Sequence, residues 1–215
     1  EESFPVASTF KLYVLAALAD AVASGRVAWD EPLAIQEDAR SLPFGELQNE
    51  AVGTEYSLQE YAQLMISISD NTATDHLMTY LGRGQVEAMV EASGHHDPSL
   101  MSPMYMTHEL FALKLLATPE ERAEFLALDS LAQTAYLDEL EFDFATAMLG
   151  AGFWTSPMYP ELEWFASGRD LCNVMHVLRD QAETPEGEPL RTILSQNPGM
   201  IPEDGRFSWV GYKGG

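Results

Sequence analysis

The apolar residues near the start of the chain form a run without a polar face. Residues 12–18 are apolar on every side of a helix, and only Asp20 interrupts the pattern before Gly25. A helix that is apolar all round lies inside a core. The run is too short and too rich in alanine to predict a membrane span. It therefore predicts a buried helix of a globular domain.

Most of the remaining chain is also predicted to be helical. Ser57–Glu60 is a capping box before an apolar-periodic run that reaches Ile68, and Thr118–Glu121 is a second box with proline at the first helical position. Gly and Pro stop signals bound most of the other periodic segments. The further predicted helices cover about 72–81, 85–93, 107–117, 130–138, 168–181 and 188–195.

Strand signals are scarce. The best candidate covers residues 206–213, where aromatic and β-branched residues follow Asp204-Gly205. A single strand cannot form a sheet, so we expect partner strands outside the chain, whose two ends look trimmed. For the same reason, the missing signal peptide is no argument for a cytoplasmic location.

Length and composition indicate how many domains the chain forms and which kinds of partner it can bind. The 215 residues are 46% hydrophobic, enough to bury a core and to form a single domain over 1–215. Lys and Arg total 11 against 34 Asp and Glu, giving a formal charge of −23. This charge disfavours nucleic acid and anionic membrane surfaces as partners. The sequence does not indicate an oligomeric state.

The sole cysteine, Cys172, lies in an apolar helical context. This context predicts a core residue, not a nucleophile. Cys and His pairs at catalytic or zinc-ligand spacing are absent. We therefore expect neither a metal nor another cofactor.

Residues 139–166 form a segment that is unusually aromatic for a predicted loop. Aromatic residues cover a core more often than they touch a ligand, but a lid over a cleft would have the same composition. The residues concerned are Phe142, Phe144, Phe153, Trp154, Tyr159, Trp164 and Phe165.

Three short motifs carry candidate chemistry. Ser8 stands three positions before Lys11, so the lysine can reach back toward the Ser8 hydroxyl on one helix face. Ser69-Asp70-Asn71 follows a predicted helix, and Lys213-Gly214-Gly215 ends the strand candidate. Each motif also has an ordinary structural explanation: a capping serine with a lysine that extends to the surface, a helix stop and cap, and a turn after a strand.

Together and in this order, the motifs resemble the S-x-x-K, S-D-N and K-T-G signature of class A β-lactamases and penicillin-binding proteins. The 61 positions from Ser8 to Ser69 are also similar to the class A interval. The surrounding sequence resembles a β-lactamase-like subgroup that includes a protein encoded in clavulanic-acid gene clusters. The resemblance spans the whole chain and implies an α+β fold. In that fold a helical lobe packs on an antiparallel sheet whose flanking strands lie largely outside this chain.

The resemblance also implies a role for each motif residue. Ser8 would be the nucleophile that forms an acyl-enzyme. Lys11 would be its base, because burial lowers the pKa of a lysine and leaves a fraction neutral. Ser69 would relay a proton to the leaving nitrogen, and Asn71 would hold a substrate amide. Lys213-Gly214-Gly215 would bind the substrate, with the lysine facing a carboxylate. The Ser8 N–H would form an oxyanion hole with an N–H that follows the third motif.

The chain departs from the family pattern in two places. Gly214 replaces the threonine of K-T-G, whose hydroxyl helps to bind the substrate carboxylate. Residues 94–110 lack the E-x-x-x-N pattern whose glutamate activates the deacylating water. His95, His96 and Asp97 are the groups of this loop with suitable chemistry, but we expect them to be turn residues or mutual hydrogen-bond partners.

The resemblance therefore implies a serine hydrolase that acylates readily but deacylates by an improvised route. It would act weakly on β-lactams or on related amides and esters. The alternatives are a D-Ala-D-Ala peptidase or esterase of the same fold, and a non-catalytic domain that binds or senses β-lactams. In each case the partner is a small molecule: a β-lactam, an ester or a peptide-like amide. The resemblance also implies a periplasmic or secreted bacterial protein, with residues 139–166 as a cover on the cleft.

Overall fold

The computed structural model describes residues 1–151, 159, 161–196, 207 and 209–215. Its strands are β1 (Phe4–Pro5), β2 (Pro32–Ala34), β3 (Glu55–Ser57) and β4 (Phe165–Ala166). Its helices, in chain order, are α1 (Lys11–Ala23), α2 (Leu58–Ser67), α3 (Asn71–Leu81), α4 (Arg83–Ala92), α5 (Thr107–Leu115), α6 (Pro119–Leu126), α7 (Ser130–Asp138), α8 (Phe144–Ala151), α9 (Gly168–Gln181) and α10 (Glu188–Ser195).

Helix α1 lies at the centre of the core. Every residue from Lys11 to Ala19 is buried, and α2, α3, α4 and α9 pack around the helix. Because protein surrounds it, the helix has no need of a polar face. The predicted buried helix is therefore confirmed. In the part of the chain that the structure describes, each helix is either too short or too polar to span a lipid bilayer.

Capping residues begin several of the other helices where the sequence predicts them. The Ser57 side chain accepts from the Glu60 N–H, and the Glu60 carboxylate accepts from the Ser57 N–H. Thr118 and Glu121 form a second box of the same kind at the start of α6. The predicted bounds of α7, α9 and α10 agree with the structure, and the other predicted helices differ by one or two residues at one or both ends.

The four short strands form two antiparallel pairs. Strand β1 pairs with β4, with Phe4 opposite Ala166, and β2 pairs with β3. Just after β1, the Val6 N–H donates to the Trp164 carbonyl at 2.9 Å. This contact fixes the backbone immediately before the turn that carries Ser8. The described chain is thus mostly helical with small antiparallel sheets, which is the expected α+β class.

The predicted strand over 206–213 is wrong for the residues that the structure describes. Residues 207 and 209–213 belong to no strand, while 206 and 208 lie outside the description. The Tyr212 N–H donates to the Leu194 carbonyl at 2.9 Å, in the last turn of α10. Among the described residues no strand pairs with this segment, whose partner strands were expected outside the chain.

Two further predictions fail in detail. The segment read as a loop contains α8, because Asp143 accepts hydrogen bonds from the Ala145 and Thr146 N–H groups and so begins a helix over an apolar run. Cys172 is exposed on α9 and is not a core residue. Of the segment's aromatic residues, Phe153 and Trp154 lie outside the described residues.

Candidate active site

Ser8 lies in a single 3-10 turn, Ala7–Phe10, that leads directly into α1. Ala7 has a positive φ of 43°, and the Thr9 N–H donates to the Val6 carbonyl at 3.0 Å. The half-buried Ser8 side chain therefore sits on a tight turn at the amino end of the central helix. Lys11 is the first residue of that helix.

Lys11 is fully buried and points toward the second motif. Its Nζ atom donates to the Ser69 carbonyl at 2.7 Å and to Asn71 Oδ1 at 2.6 Å, and lies 3.2 Å from Ser69 Oγ. Among the described residues, no hydrogen bond joins Lys11 to the Ser8 hydroxyl, contrary to the simplest reading of the spacing. Burial, reinforced by the charge of Lys213, lowers the pKa of Lys11 from 10.5 to about 7.

Ser69 holds its hydroxyl between two amines. Its Oγ lies 3.2 Å from Lys11 Nζ and accepts from Lys213 Nζ at 3.0 Å. The residue has a φ of 62°, a left-handed conformation that is uncommon for serine. The following N–H, from Asp70, donates to the Leu64 carbonyl at 3.1 Å and so holds this turn after α2. The turn thus determines where the hydroxyl lies.

Asp70, the middle residue of the motif, acts inside the protein. Its buried carboxylate accepts from the N–H groups of Glu46, Leu47 and Ala73 at 2.7, 3.0 and 2.8 Å. A Cβ atom on Gly45 would overlap the same carboxylate. Asp70 therefore caps α3 and fixes the neighbouring loop, which agrees with the structural reading of this position.

Asn71 uses both ends of its side chain within the protein. Its Oδ1 accepts from Lys11, and its Nδ2 donates to the Leu42 carbonyl at 2.6 Å. Its backbone N–H donates to the Phe44 carbonyl at 2.9 Å. In this arrangement Asn71 orients Lys11 and the loop before Gly45.

The third motif closes the site from the other side. Lys213 Nζ donates to Ser69 Oγ and to the Gly214 carbonyl at 2.6 Å, and burial lowers its pKa from 10.5 to about 8. Gly215 packs so closely on the Ser8 turn that a Cβ atom would overlap the Val6 carbonyl and lie 2.7 Å from the Thr9 nitrogen. The three motifs, distant in sequence, thus meet at one place.

A polar cluster behind Lys11 was missed by the sequence reasoning. Asp75, fully buried one helical turn after Asn71, accepts from the Thr107 N–H at 2.7 Å, the His108 N–H at 2.8 Å and His108 Nδ1 at 2.8 Å. Its charge opposes the lowering of the Lys11 pKa. The i, i+4 spacing of Asn71 and Asp75 places both on one helix face, and that spacing was the available signal.

His95 and His96 are engaged in hydrogen bonds away from the three motifs. His96 Nδ1 lies 2.6 Å from the buried Asp170 carboxylate, and His95 Nε2 lies 3.0 Å from the Phe165 carbonyl. Asp97 donates its N–H to His95 Nδ1 at 3.2 Å. The expectation of mutual hydrogen-bond partners agrees with these contacts. Within the described ranges, His95, His96 and Asp170 are the group whose ligand atoms lie close enough together, within 4.8 Å, to hold a metal ion.

Comparison with known proteins agrees with this arrangement. A model of the β-lactamase enzyme family matches residues 1–158. The chain belongs to the β-lactamase enzyme family. None of the curated proteins compared with it matches.

Solved structures show which fold this member of the β-lactamase family adopts. A variant of PBP-A, solved as its acyl-enzyme complex with penicillin G, is 25% identical, and the match covers 93% of this chain and 56% of that one with a TM-score of 0.56. A β-lactamase from Sphaerobacter thermophilus is 22% identical over 92% of this chain and 58% of its own, with a TM-score of 0.59. The chain therefore has a β-lactamase/transpeptidase-like α+β fold and spans little more than half the length of these structures.

Proposed function

We propose that the chain carries the acylating site of a serine hydrolase, in which Ser8 forms an acyl-enzyme with a β-lactam or a related amide or ester. The observation that carries the proposal is the Ser69 hydroxyl, whose oxygen lies 3.2 Å from Lys11 Nζ and 3.0 Å from Lys213 Nζ. A hydroxyl between two amines of lowered pKa is suited to passing protons. The solved acyl-enzyme of PBP-A with penicillin G supports the same chemistry here.

The contacts of Lys11 suit a neutral amine that serves as a base. A neutral amine has two N–H bonds and one lone pair. The Ser69 carbonyl and Asn71 Oδ1, at 2.7 and 2.6 Å, take the two N–H groups, and the lone pair then faces Ser69 Oγ at 3.2 Å, where it can accept a serine proton. The lone pair turns to Ser8 once a substrate is bound, since catalytic hydrogen bonds are often long without substrate.

The proton of Ser8 then passes through Lys11 and Ser69 to the leaving nitrogen. Lys11 takes the proton as Ser8 Oγ attacks the carbonyl carbon, and a carbon–oxygen bond forms. Ser69 gives its own proton to the leaving nitrogen as the carbon–nitrogen bond breaks, and regains one from the Lys11 ammonium. The proton removed from Ser8 is thereby replaced on the leaving group. The Ser8 N–H stabilises the negative charge on the carbonyl oxygen.

Deacylation is the slow step of this proposal. The carboxylates of segment 94–110 are Asp97 and Glu109. Asp97 accepts from the Ser99 hydroxyl at 2.6 Å, whereas Glu109 is held by Arg83 at 2.5 Å and by the Met106 N–H at 2.7 Å. Because this segment also lacks the E-x-x-x-N glutamate, we infer that a water attacking the ester receives no general-base help, which is worth roughly a hundredfold to ten-thousandfold. The activity on β-lactams is therefore weak.

Intact-mass spectrometry after incubation with benzylpenicillin tests the nucleophile. The wild type should gain one penicilloyl group, and Ser8→Ala should gain none. Ser24→Ala, which changes an exposed serine bonded to Arg26, is the matched control and should acylate normally. An adduct of equal yield on Ser8→Ala would remove Ser8 from the mechanism.

Turnover assays separate the proposed hydrolase from its alternatives. Steady hydrolysis of p-nitrophenyl acetate with a stalled penicillin adduct favours a hydrolase or esterase. Release of D-alanine from a D-Ala-D-Ala peptide favours a peptidase. Stalling on both the ester and the β-lactam favours a domain that binds or senses β-lactams.

A further inference from the structure

A tyrosine hydroxyl occupies the space beside Gly214. If Gly214 carried a Cβ atom, Tyr212 Oη would lie 2.9 Å from it, and the next nearest atoms, Tyr212 Cζ and Cε1, would lie at 3.5 and 3.6 Å. A threonine hydroxyl is attached to that same Cβ atom. The glycine at this position therefore leaves room for a hydroxyl that another residue supplies.

The backbone that carries Tyr212 is held by hydrogen bonds. The Tyr212 N–H donates to the Leu194 carbonyl at 2.9 Å, and the Gly214 carbonyl accepts from Lys213 Nζ at 2.6 Å. The backbone on both sides of the lysine is thus restrained. Tyr212 is 41% exposed, so a ligand can approach its ring from solvent.

We propose that Tyr212 Oη is a specificity-determining hydrogen-bond donor that, together with the Lys213 ammonium, binds the carboxylate of the substrate. A phenol O–H donates well to a carboxylate, and a hydrogen bond to a charged group is stronger than one between neutral groups. The chain carries a formal charge of −23 and repels anions at long range, so a local pair of donors is needed to hold one. This inference rests on the proposed function and names its substrate class: β-lactams or amides that carry a carboxylate beside the scissile bond.

The experiment measures binding without chemistry. In the Ser8→Ala background, Tyr212→Phe should weaken benzylpenicillin about 10- to 100-fold, the loss expected for one hydrogen bond to a charged group. Binding of benzylpenicillin methyl ester, which lacks the charge, should stay unchanged. Tyr136→Phe, a phenol on α7, is the matched control and should alter neither dissociation constant, measured by ligand-observed NMR or calorimetry.

A second substitution separates loss of the hydroxyl from loss of packing. Gly214→Thr alone brings its Cβ to 2.9 Å from Tyr212 Oη; the variant displaces the tyrosine hydroxyl but supplies a threonine hydroxyl, so penicillin binding should change little. In the Tyr212→Phe background, the nearest remaining ring atom lies at 3.5 Å, an ordinary contact, so Gly214→Thr should restore binding of the acid. Rescue of the double variant is the expected result.

The outcomes distinguish this inference from the proposed function. Equal weakening of acid and ester by Tyr212→Phe, no weakening of either, or no binding of benzylpenicillin to Ser8→Ala would each overturn the assignment of Tyr212. Normal selectivity for the acid in a wild-type protein that never acylates would support Tyr212 and contradict the hydrolase.

Discussion

Replacement of Lys11 by arginine should abolish acylation while the fold remains. A lysine with the ordinary pKa of 10.5 is neutral in roughly one molecule in 3,000 at pH 7, whereas at a pKa of about 7 half of the molecules are neutral. Burial of Lys11 therefore raises the amount of active base about a thousandfold. Arginine stays charged throughout the accessible pH range, so Lys11→Arg should lose at least this factor.

The pH profile of the wild type follows from the same values. Below pH 7 the Lys11 ammonium predominates, and the rate of acylation should fall about tenfold for each pH unit. Above pH 8, the pKa of Lys213, that side chain loses the charge that faces an anionic substrate, so the rate should fall again. The profile should be a bell with its maximum between about pH 7 and 8.

Stopped-flow measurement with a fluorescent penicillin between pH 5 and 10 provides the assay. Lys114→Arg, which alters a lysine paired with Glu163, is the matched control and should keep the wild-type profile. Circular dichroism establishes that each variant is folded. An acid limb near pH 10, or near-normal acylation by Lys11→Arg, would refute the role of a neutral lysine.

Three other predictions concern neighbouring features. Since Lys213 lowers and Asp75 raises the pKa of Lys11, Lys213→Gln should move the acid limb of acylation to higher pH and Asp75→Asn to lower pH; shifts of the same sign would contradict this. A chromogenic cephalosporin should give a burst of about one equivalent followed by slow turnover, and fast hydrolysis without a burst would reveal an unrecognised base. Gly45→Ala should reduce the free energy of unfolding, measured in urea, by roughly 1 to 3 kcal/mol. The loss should exceed that of Gly53→Ala, because both glycines have positive φ but a Cβ only at Gly45 meets the Asp70 carboxylate; equal losses would show that the overlap costs nothing.

The helices could be predicted from the sequence because their signals are local. The boxes at Ser57 and Thr118 and the apolar run of α1 each depend on residues within a few positions. The strand candidate before Lys213 failed because pairing depends on a distant backbone, and here the Tyr212 N–H meets α10 instead. Helix α8 was missed because the many aromatic residues of this segment suggested a loop that covers the core or a cleft. The helix cap that Asp143 provides was therefore not recognised.

The composition of the site was predictable, but its contacts were not. The motif order predicted a candidate site of Ser8, Lys11, Ser69 and Lys213. The spacing suggested that Lys11 contacts Ser8, whereas its hydrogen bonds go to Ser69 and Asn71. Helical spacing predicts which side chains can come close to one another. The hydrogen-bond acceptors that a buried lysine reaches depend on the tertiary packing around it. The hydroxyl of Tyr212 beside Gly214 could not be read from the sequence, because it depends on how the ring folds back.

The left-handed backbone at Ser69 has a consequence for engineering. A φ of 62° costs a non-glycine residue roughly 1 to 2 kcal/mol, and glycine would relieve this strain while deleting the hydroxyl. Stability and chemistry therefore favour different residues at position 69. On the proposed mechanism, a directed-evolution screen based on heat resistance alone would favour glycine there and yield stable proteins without the relay hydroxyl, so selection should include turnover from the first round.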